Sequence, residues 1–403
     1  MTVVHPIPHA WLATPTGHTG APNYDECADD AESTASVEAN PASALAIEMP
    51  HLAPASLGSS FTDALPAAAQ RLTALQESGA LAAADDVVVV YRITDPAGAV
   101  GYGLWSMVDT DQISTNADEP GLVIRNEDVF IAKVRERVAL AQAIGHLLSP
   151  VLLLQTARGD ELHAALASAV ADLGDAAASD VDPAGRTHEI WPVSGTDPLA
   201  ARLADLAGGG ELVVADGNHR SLAAQVGELP RFLAVVTTPA SVAIQPYNRL
   251  VAALPLPAGD LLATLEKTGA SVTPLSGPVT VPTERGTIHV YASSGSFAVA
   301  LPLSSGVPDV ENLDHALVER LIFAETLALD PGDKRITYVG GDYPASWLAG
   351  EVDAGRADLA ILIAPVTVDD FVAVNLARQK LPRKSTWFTP KARAGLVAAA
   401  LAR

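Results

Sequence analysis

The chain is predicted to turn from a strand into a helix at Leu212-Val213-Val214-Ala215-Asp216-Gly217-Asn218-His219-Arg220. Residues 212–215 are apolar and predict a short buried strand, and the residues from Ser221 onward continue as a helix. A helix N-terminus presents N–H groups and a partial positive charge, so such a turn can hold an anion. Gly217 lets a ligand approach the backbone, and Arg220 supplies a planar set of donors for phosphate or carboxylate.

Two interpretations of this turn stay open. In the functional one, the Gly217 region and Arg220 bind phosphate, and Asp216 or His219 acts as an acid or a base. An imidazole suits that role because its ordinary pKa lies near neutrality. In the structural one, Asp216 caps the helix and the next polar residues only decorate its first turn. The pattern alone does not separate the two.

A second polar motif, Arg125-Asn126-Glu127-Asp128, precedes a predicted helix. A carboxylate beside a bound phosphate could take the proton of an attacking hydroxyl or bind Mg²⁺. The alternative is an acidic first helical turn, which the helix dipole favours without any function.

A third motif, Lys384-Ser385-Thr386, resembles the end of a phosphate-binding loop. A Walker-type loop is excluded because residues 378–383 contain no glycine. What remains is a local positive patch of Arg383, Lys384 and Lys391 with two hydroxyls. Such a patch could bind an anion, and the alternative is a solvated edge.

The overall charge disfavours nucleic acid as a partner. The sequence carries 25 basic and 47 acidic residues, a formal net charge of −22. Nonspecific affinity for nucleic acid comes from Lys and Arg side chains that neutralise phosphates, and here the global field opposes it.

Cysteine usage and hydropathy favour the cytoplasm. Cys27 is the only cysteine, which excludes an intramolecular disulfide and a multi-cysteine metal site. The first residues show no basic region followed by an apolar core, and the longest apolar runs are too short to cross a bilayer. We therefore expect a cytoplasmic protein without a membrane partner.

Several catalytic signatures are missing from the sequence. We find no Gly-x-Gly-x-x-Gly after a strand, no His-Glu-x-x-His and no Gly-x-Ser-x-Gly. The ten histidines show no metal-binding spacing. A classical dehydrogenase, a zinc protease and an α/β-hydrolase are disfavoured, and we expect no haem, flavin or zinc.

Length and element order predict a mixed α/β (α/β or α+β) chain of several domains. A chain of 403 residues exceeds one ordinary core, and predicted strands and helices are interspersed along it. The predicted domains are an irregular N-terminal arm (1–60), a domain with the Asp216–Arg220 turn (61–255) and a C-terminal α/β domain with the Lys384–Lys391 segment (256–403). Further predictions are helices over 62–84 and 129–147, a loop over 175–186 and a last helix after Lys391.

Taken together, the motifs resemble those of a bacterial and archaeal family, domain of unknown function 1015 (DUF1015). That family typically shows Pro-Pro-Tyr-Asp, Arg-His-Glu, Asp-Gly-His-His-Arg, a His-Arg pair and Lys-Ser-Thr-x-Phe-x-Pro-Lys, in this order. The counterparts here keep the order over nearly the whole chain: Pro22-Asn23-Tyr24-Asp25, Arg125-Asn126-Glu127, Asp216-Gly217-Asn218-His219-Arg220, Asn248-Arg249 and Lys384-Ser385-Thr386-Trp387-Phe388-Thr389-Pro390-Lys391.

The departures from the family pattern are all asparagines. Asn23 stands in place of a proline, and Asn126, Asn218 and Asn248 stand in place of histidines. An amide donates and accepts hydrogen bonds but does not titrate. If the family's chemistry uses those imidazoles, this chain has altered or lost it.

The central turn also looks like that of the ParB/sulfiredoxin superfamily. Its members bind nucleotide phosphates at a Gly-x-x-Arg turn and include CTP-binding partition proteins, an ATP-dependent reductase and free-serine kinases. The resemblance implies a ParB/sulfiredoxin-like core, nucleotide phosphates at Gly217–Arg220, and Glu127 or Asp25 as the base. It assigns phosphate or nucleotide binding also to Asn218, Arg125, Arg249, Lys384, Ser385, Thr386 and Lys391, and a substrate or arm role to Asn23, Tyr24 and Asp25.

Three hypotheses follow from the motifs and the resemblance. The first is a nucleotide-dependent phosphotransferase, similar to a free-serine kinase, that acts on a small polar metabolite with ATP, ADP or another nucleotide. Mg²⁺ would accompany the nucleotide, with Glu127 or Asp216 as candidate ligands. The second is a non-catalytic nucleotide- or metabolite-binding regulatory protein, which the replaced histidines favour. The third is a ParB-like DNA-associated protein, which the net charge disfavours. The sequence determines neither the substrate nor the nucleotide base nor the oligomeric state.

Overall fold

A computed structural model describes residues 2–24, 26–27, 29–114, 121–127, 129–306 and 309–401. The strands are β1 Val4–His5, β2 Ile7–Ala13, β3 Leu81–Thr94, β4 Val100–Asp109, β5 Ile113–Ser114, β6 Val123–Ile124, β7 His146–Leu147, β8 Val151–Gln155, β9 Ala178–Val181, β10 Thr187–Ser194, β11 Leu212–Asp216, β12 Arg231–Thr237, β13 Ala243–Gln245, β14 Asn248–Val251, β15 Ser271–Pro274, β16 Thr287–Ala292, β17 Gly295–Ala300, β18 Ile336–Val339, β19 Leu359–Ile363, β20 Trp387–Thr389 and β21 Val397–Ala400.

The helices alternate with these strands. They are α1 Asp30–Ala39, α2 Leu45–Glu48, α3 Phe61–Glu77, α4 Ile131–Ile144, α5 Gly159–Asp172, α6 Pro198–Ala207, α7 Asn218–Val226, α8 Ala258–Lys267, α9 Asp314–Leu317, α10 Ala345–Asp353 and α11 Val368–Leu376, and a π-helix, Val318–Leu327, continues α9. The predicted mixed α/β class is confirmed. The ParB/sulfiredoxin-like core stays a prediction.

The chain forms two compact units. The first contains the residues up to Val242 together with the segment from Pro390 onward, and the second is Ala243–Thr389. This division does not test the predicted boundaries at residues 60 and 255, which stay a prediction.

A large, mostly antiparallel sheet forms the frame of the first unit. Its strand order is β5-β6-β11-β8-β12-β4-β3-β2-β21-β7, and β10 pairs with β3 and β9. One core packs residues of α5 and α6, such as Leu162 and Leu203, against sheet residues such as Val88 and Leu104. Another packs α2, α3 and α4 together with β21. Strand β11 lies inside this sheet, between β6 and β8, so the turn that follows it starts from a rigid support.

The second unit is built on an antiparallel sheet with strand order β15-β17-β16-β19-β14-β18. Successive side chains of a strand point to opposite faces. In β19, Leu359 and Ile361 join a core with α8 and the π-helix, whereas Ala360 and Leu362 join a core with α10. The sheet is therefore buried on both faces.

The predicted last helix after Lys391 is wrong. Residues 397–400 form β21, which pairs with β2 on one side and with β7 on the other. The sequence Val397-Ala398-Ala399-Ala400 favours a helix by local propensity, because alanine is the best helix former. Pairing on two sides buries Val397 and Ala399 completely, and this tertiary packing overrides the local preference.

Three further predictions need correction. The predicted helix over 62–84 ends at Glu77, where Gly79 with φ 75° turns the chain into β3. The predicted helix over 129–147 spans only Ile131–Ile144, because Gly145 ends it with φ 66°. The predicted loop over 175–186 contains β9, which pairs with β10. In addition, Ile7–Ala13 of the predicted irregular arm forms β2, which lies between β3 and β21.

No helix among the described residues is long and apolar enough to span a membrane.

Candidate functional site

The turn after β11 has the predicted strand–turn–helix form. Strand β11 ends at Asp216, and Gly217 takes the N-cap position of α7 with φ 97°. A Cβ atom at Gly217 would lie 3.0 Å from Nε of Arg220. Both the left-handed backbone and this close approach require glycine at the position. Gly217 also brings no side-chain acceptor to the cap, unlike an Asp or Ser N-cap.

Arg220 lies buried at the centre of the polar residues around the turn. One of its terminal nitrogens donates to Oδ1 of Asn23 at 2.8 Å and to the carbonyl oxygen of Pro150. The other donates to Oδ2 of Asp216. The guanidinium therefore joins the N-terminal segment, the start of β8 and the turn. Its predicted role as a phosphate clamp stays a prediction.

Lys391 reaches the same carboxylate from the C-terminal segment. Its Nζ lies 3.1 Å from Oδ1 of Asp216, and only 9% of its side chain is exposed. Each oxygen of Asp216 is thus bound by a different cation. Both cations would repel a divalent ion, which disfavours Asp216 as a Mg²⁺ ligand, and this role stays a prediction. Within the described ranges, no group of three or more His, Cys, Asp and Glu side chains is placed to hold a metal ion.

Glu26 is a carboxyl group that the sequence analysis missed. Its Oε1 accepts hydrogen bonds from the backbone N–H of Asn23 at 2.7 Å and from the Asn23 side-chain amide at 2.6 Å. Desolvation raises the pKa of Glu26 above its ordinary value, Lys391 opposes this shift, and Asp216 adds to it. The predicted arm carboxylate, Asp25, lies outside the described residues. Glu26 closes a turn that starts at Asn23, because its backbone N–H donates to the carbonyl oxygen of Asn23. This turn is the local signal that could have pointed to Glu26.

Asn23 links these groups to the C-terminal segment. Its side-chain amide also donates to the carbonyl oxygen of Ala392 at 3.2 Å, and the residue is 1% exposed. Proline, which the family pattern has at this position, could make none of these side-chain hydrogen bonds.

Asn126 and Asn218 form a buried amide pair. Nδ2 of Asn218 donates to Oδ1 of Asn126 at 2.9 Å, and Oδ1 of Asn218 accepts from the backbone N–H of Asn126 at 3.4 Å. Nδ2 of Asn126 donates to the carbonyl oxygen of Val214 at 2.9 Å. The pair fixes the second motif against β11 and the start of α7.

The other predicted residues of the first unit have different surroundings. Nε2 of His219 accepts from the backbone N–H of Phe130 at 3.0 Å, and the two rings stack with centroids 6.1 Å apart. Arg125 is buried, and its backbone N–H donates to Ser114 at 3.0 Å. Glu127 is partly buried. Tyr24 is buried and packs on α4, where the Arg137 guanidinium lies 4.2 Å from its ring centre.

The remaining predicted residues belong to the second unit. Arg249 on β14 is completely buried, with its guanidinium 4.3 Å from the Tyr338 ring centre and 3.9 Å from the Glu319 carboxylate. Burial lowers the pKa of Arg249 and raises that of Glu319. A terminal nitrogen of Arg249 donates to the carbonyl oxygen of Arg383 at 3.4 Å. This contact places the Asn248-Arg249 motif beside the residue that precedes Lys384-Ser385-Thr386.

The Lys-Ser-Thr segment adopts an unusual backbone. Lys384 has φ 56°, a left-handed conformation that costs a non-glycine residue free energy and recurs at functional sites. Its Nζ lies 5.4 Å from the Tyr247 ring centre. Ser385 is buried and its hydroxyl donates to the carbonyl of Pro382 at 2.6 Å, while Thr386 is partly exposed. Within the first unit, the structure thus brings together the motifs that contain Asn23, Asn126 and Asp216, and Lys391. Within the second unit, it brings Arg249 to Arg383. The sequence alone does not determine whether the five motifs meet in one cleft.

Comparisons with known proteins give one family and several weakly similar structures. The model of the family described as "Protein of unknown function (DUF1015)" matches residues 17–316. No curated protein matches the sequence.

Among solved structures, a free serine kinase in complex with AMP is 13% identical, with a TM-score of 0.39 over 71% of this chain and 87% of that chain. A conserved hypothetical protein from Pyrococcus furiosus is 12% identical, with a TM-score of 0.38 over 72% and 95%. SbnI from Staphylococcus aureus, with a C-terminal truncation, is 12% identical, with a TM-score of 0.40 over 72% and 87%. Because these TM-scores lie below 0.5, the three structures carry no argument about the function of this chain.

Proposed function

The chain belongs to the DUF1015 family, and from this premise we propose that it is a nucleotide-dependent phosphotransferase acting on a small polar metabolite. The observation that carries the proposal is the network of Glu26, Lys391, Asp216 and Arg220 at the start of α7. It combines a carboxyl group of raised pKa, a shielded ammonium and a glycine-capped helix N-terminus.

In this proposal the phosphates bind at the N-terminus of α7. Gly217 brings the backbone within reach, and the partial positive charge of the helix favours an anion. Lys391 stabilises the negative charge that develops on the transferred group. Arg220 positions Asp216 and Asn23 through its hydrogen bonds and need not leave them.

Glu26 is the proposed general base. Its carboxylate takes the proton of the substrate hydroxyl while the hydroxyl oxygen forms a bond to the terminal phosphorus. The bond from that phosphorus to the bridging oxygen breaks, so that ADP leaves when ATP is the donor and AMP leaves when ADP is the donor. A raised pKa brings the group closer to neutrality, where a general base is most effective. Asp25 and Glu127 remain proposed alternatives for this role.

ATP or ADP is the proposed nucleotide. Glu127 or Asp216 is the proposed Mg²⁺ ligand, and Glu127 is favoured because cations bind both oxygens of Asp216. Proton transfer to Glu26 and charge stabilisation by Lys391 do not depend on the metal. A hydroxy amino acid is the proposed acceptor, as the sequence resemblance implies.

Nucleotide binding and turnover test the proposal separately. A ligand that binds only the folded state raises the melting temperature, so we expect ATP or ADP to raise it in the wild type and in Glu26→Gln. With L-serine and a pool of small hydroxylated metabolites, Glu26→Gln should lower turnover at least about 100-fold, the usual contribution of a general base. Glu77→Gln, an exposed change on α3, is the matched control. No melting shift with any nucleotide, or full turnover in Glu26→Gln, would contradict the proposal.

A second candidate function is a non-catalytic nucleotide or metabolite sensor. The observation that favours it is the Asn126–Asn218 pair, in which two non-titrating amides bind each other. A sensor should show the nucleotide-dependent melting shift and no turnover with any acceptor in the pool.

A further inference from the structure

We infer that the first unit holds a second ligand site, for an uncharged and mostly apolar small molecule, in the pocket between α4 and α7. The pocket has a volume of about 60 Å³, which is room for about four to six water molecules, since one water needs about 10–15 Å³ of such space. A molecule built on one small ring is of this size. It lies along the side of α7, whereas the proposed phosphate site uses the N-terminus of that helix. Among the residues of the turn, Arg220 lines this pocket.

The walls of the pocket are mostly apolar, and small residues leave the space open. Ala141 of α4 and Ala223 and Ala224 of α7 line it, together with larger side chains such as Leu148 and Phe232. A pocket of this kind favours a hydrocarbon or aromatic body, because apolar surface gains free energy when it leaves water.

The charged groups on the wall already have partners. Nη1 of Arg137 donates to Oε2 of Glu48 at 2.7 Å, and both side chains are 5% exposed. Arg220 forms its ion pair with Asp216. A charged ligand would have to compete with these carboxylates, or be buried without a counter-charge, so the pocket suits an uncharged molecule.

Two buried hydrogen-bond donors belong to residues that line the pocket. Oγ of Ser149 and Nε of Arg137 are buried and have no hydrogen-bond partner among the residues that the structure describes. Both residues line the pocket. A buried polar group left without a hydrogen bond destabilises the fold. A ligand with a carbonyl oxygen or ring nitrogen at one end would satisfy such a donor, and this acceptor is the polar feature we assign to it.

Benzamide is a suitable probe, because it joins an aromatic ring to an uncharged carbonyl acceptor. In ligand-observed NMR on the full chain, we expect saturation transfer to benzamide and weaker transfer to toluene, which lacks the acceptor, and to benzoate, which is charged. Ser149→Ala should weaken benzamide binding about 5-fold, the equivalent of one hydrogen bond. Ala223→Met and Ala141→Met fill the space and should abolish binding. Ala201→Met, on the exposed face of α6, is the matched control and should bind normally.

Several results would overturn the inference. These are no transfer to benzamide, equal transfer to all three probes, or unchanged binding in both filling variants. A melting curve shows whether each variant is folded, and two filling positions keep the test decisive if one of them unfolds. Displacement of benzamide by ATP would show that the pocket belongs to the nucleotide site, which also overturns a separate ligand. Because no probe is a nucleotide, failure of the proposed phosphotransfer does not affect this test.

Discussion

Glu26, Asp216 and Lys391 show how single side chains change one another's chemistry. Two carboxyl groups share the field of one ammonium, and Arg220 holds the other side of Asp216. In the sequence, none of the three residues alone indicates a functional site, because the chain contains many other Asp, Glu and Lys residues. Their meaning comes from burial and from contact between residues far apart in the chain.

Glu26→Gln should stabilise the folded protein at neutral pH. The pKa of Glu26 is raised in the folded state, so ionisation costs more there than in the unfolded chain. Below the ordinary pKa of a glutamate the carboxyl is protonated in both states, and its full contribution to the stability of the folded protein is present. The wild type loses this stability as the pH rises from that value through the pKa of Glu26 in the folded protein. Glutamine keeps the acceptor for Asn23 and removes the charge. Urea unfolding at several pH values should show a gain for the variant above the folded pKa that vanishes at acidic pH. An equal gain at every pH would count against it.

Lys391→Met should raise the pKa of Glu26 further. The ammonium of Lys391 opposes the desolvation of Glu26, and methionine has similar length without the charge. An NMR titration of the Glu26 carboxyl measures the shift. Loss of one partner of a buried ion pair also costs stability, here about 1–3 kcal/mol because Arg220 still binds Asp216. Lys267→Met on the exposed end of α8 is the control and should leave the titration unchanged.

Among the elements, the β11–α7 turn is predictable from sequence and β21 is not. The turn has strong local signals, namely an apolar run, then glycine, then a helix-forming stretch. In contrast, Val397-Ala398-Ala399-Ala400 favours a helix locally and becomes a strand only because β2 and β7 flank it. Glu26 was missed for a similar reason, since its partner Lys391 comes from the far end of the chain. Local chemistry thus predicts the motifs, while long-range pairing decides which residues meet.

Gly217→Ala separates steric crowding from backbone strain. Alanine would bring a left-handed φ and a Cβ 3.0 Å from Arg220 Nε. At Gly174 the φ is 75° and an added Cβ meets no atom within 4 Å, so Gly174→Ala pays only the backbone cost. We expect losses of about 2–4 kcal/mol for Gly217→Ala and about 1 kcal/mol for Gly174→Ala, measured by urea unfolding. Equal losses would show that contact with Arg220 does not constrain the turn.

Asp314→Asn should stabilise the protein above pH 6. Asp314 begins α9, is 4% exposed, and burial raises its pKa from 3.8 to about 6, although it accepts the N–H of Gly286 at 2.7 Å. The unfolded chain thus loses this proton first, and wild-type stability falls as pH rises from about 4 to 6. The variant should gain up to about 3 kcal/mol at pH 8 and almost nothing at pH 3. Asp260→Asn, an exposed change on α8, is the control.

At the scale of the whole molecule, the first unit depends on the segment that follows the second unit. A chain that stops after Thr389 lacks β21, whose Val397 and Ala399 are completely buried between β2 and β7. We expect such a chain to lose hydrogen-exchange protection at the amides of β2, to melt at a lower temperature and to aggregate through the exposed strand edges. A chain that stops after Leu401 is the control and should behave as the wild type. Preserved protection of β2 after truncation at Thr389 would contradict the prediction.

The position of Lys391 also has a consequence for biosynthesis. Translation delivers Glu26 and Asp216 early, whereas Lys391 and β21 leave the ribosome only after all of Ala243–Thr389 has been made. A nascent or prematurely terminated polypeptide therefore holds the carboxylates without their lysine. The complete charge network therefore marks a polypeptide whose translation has passed through the entire second unit.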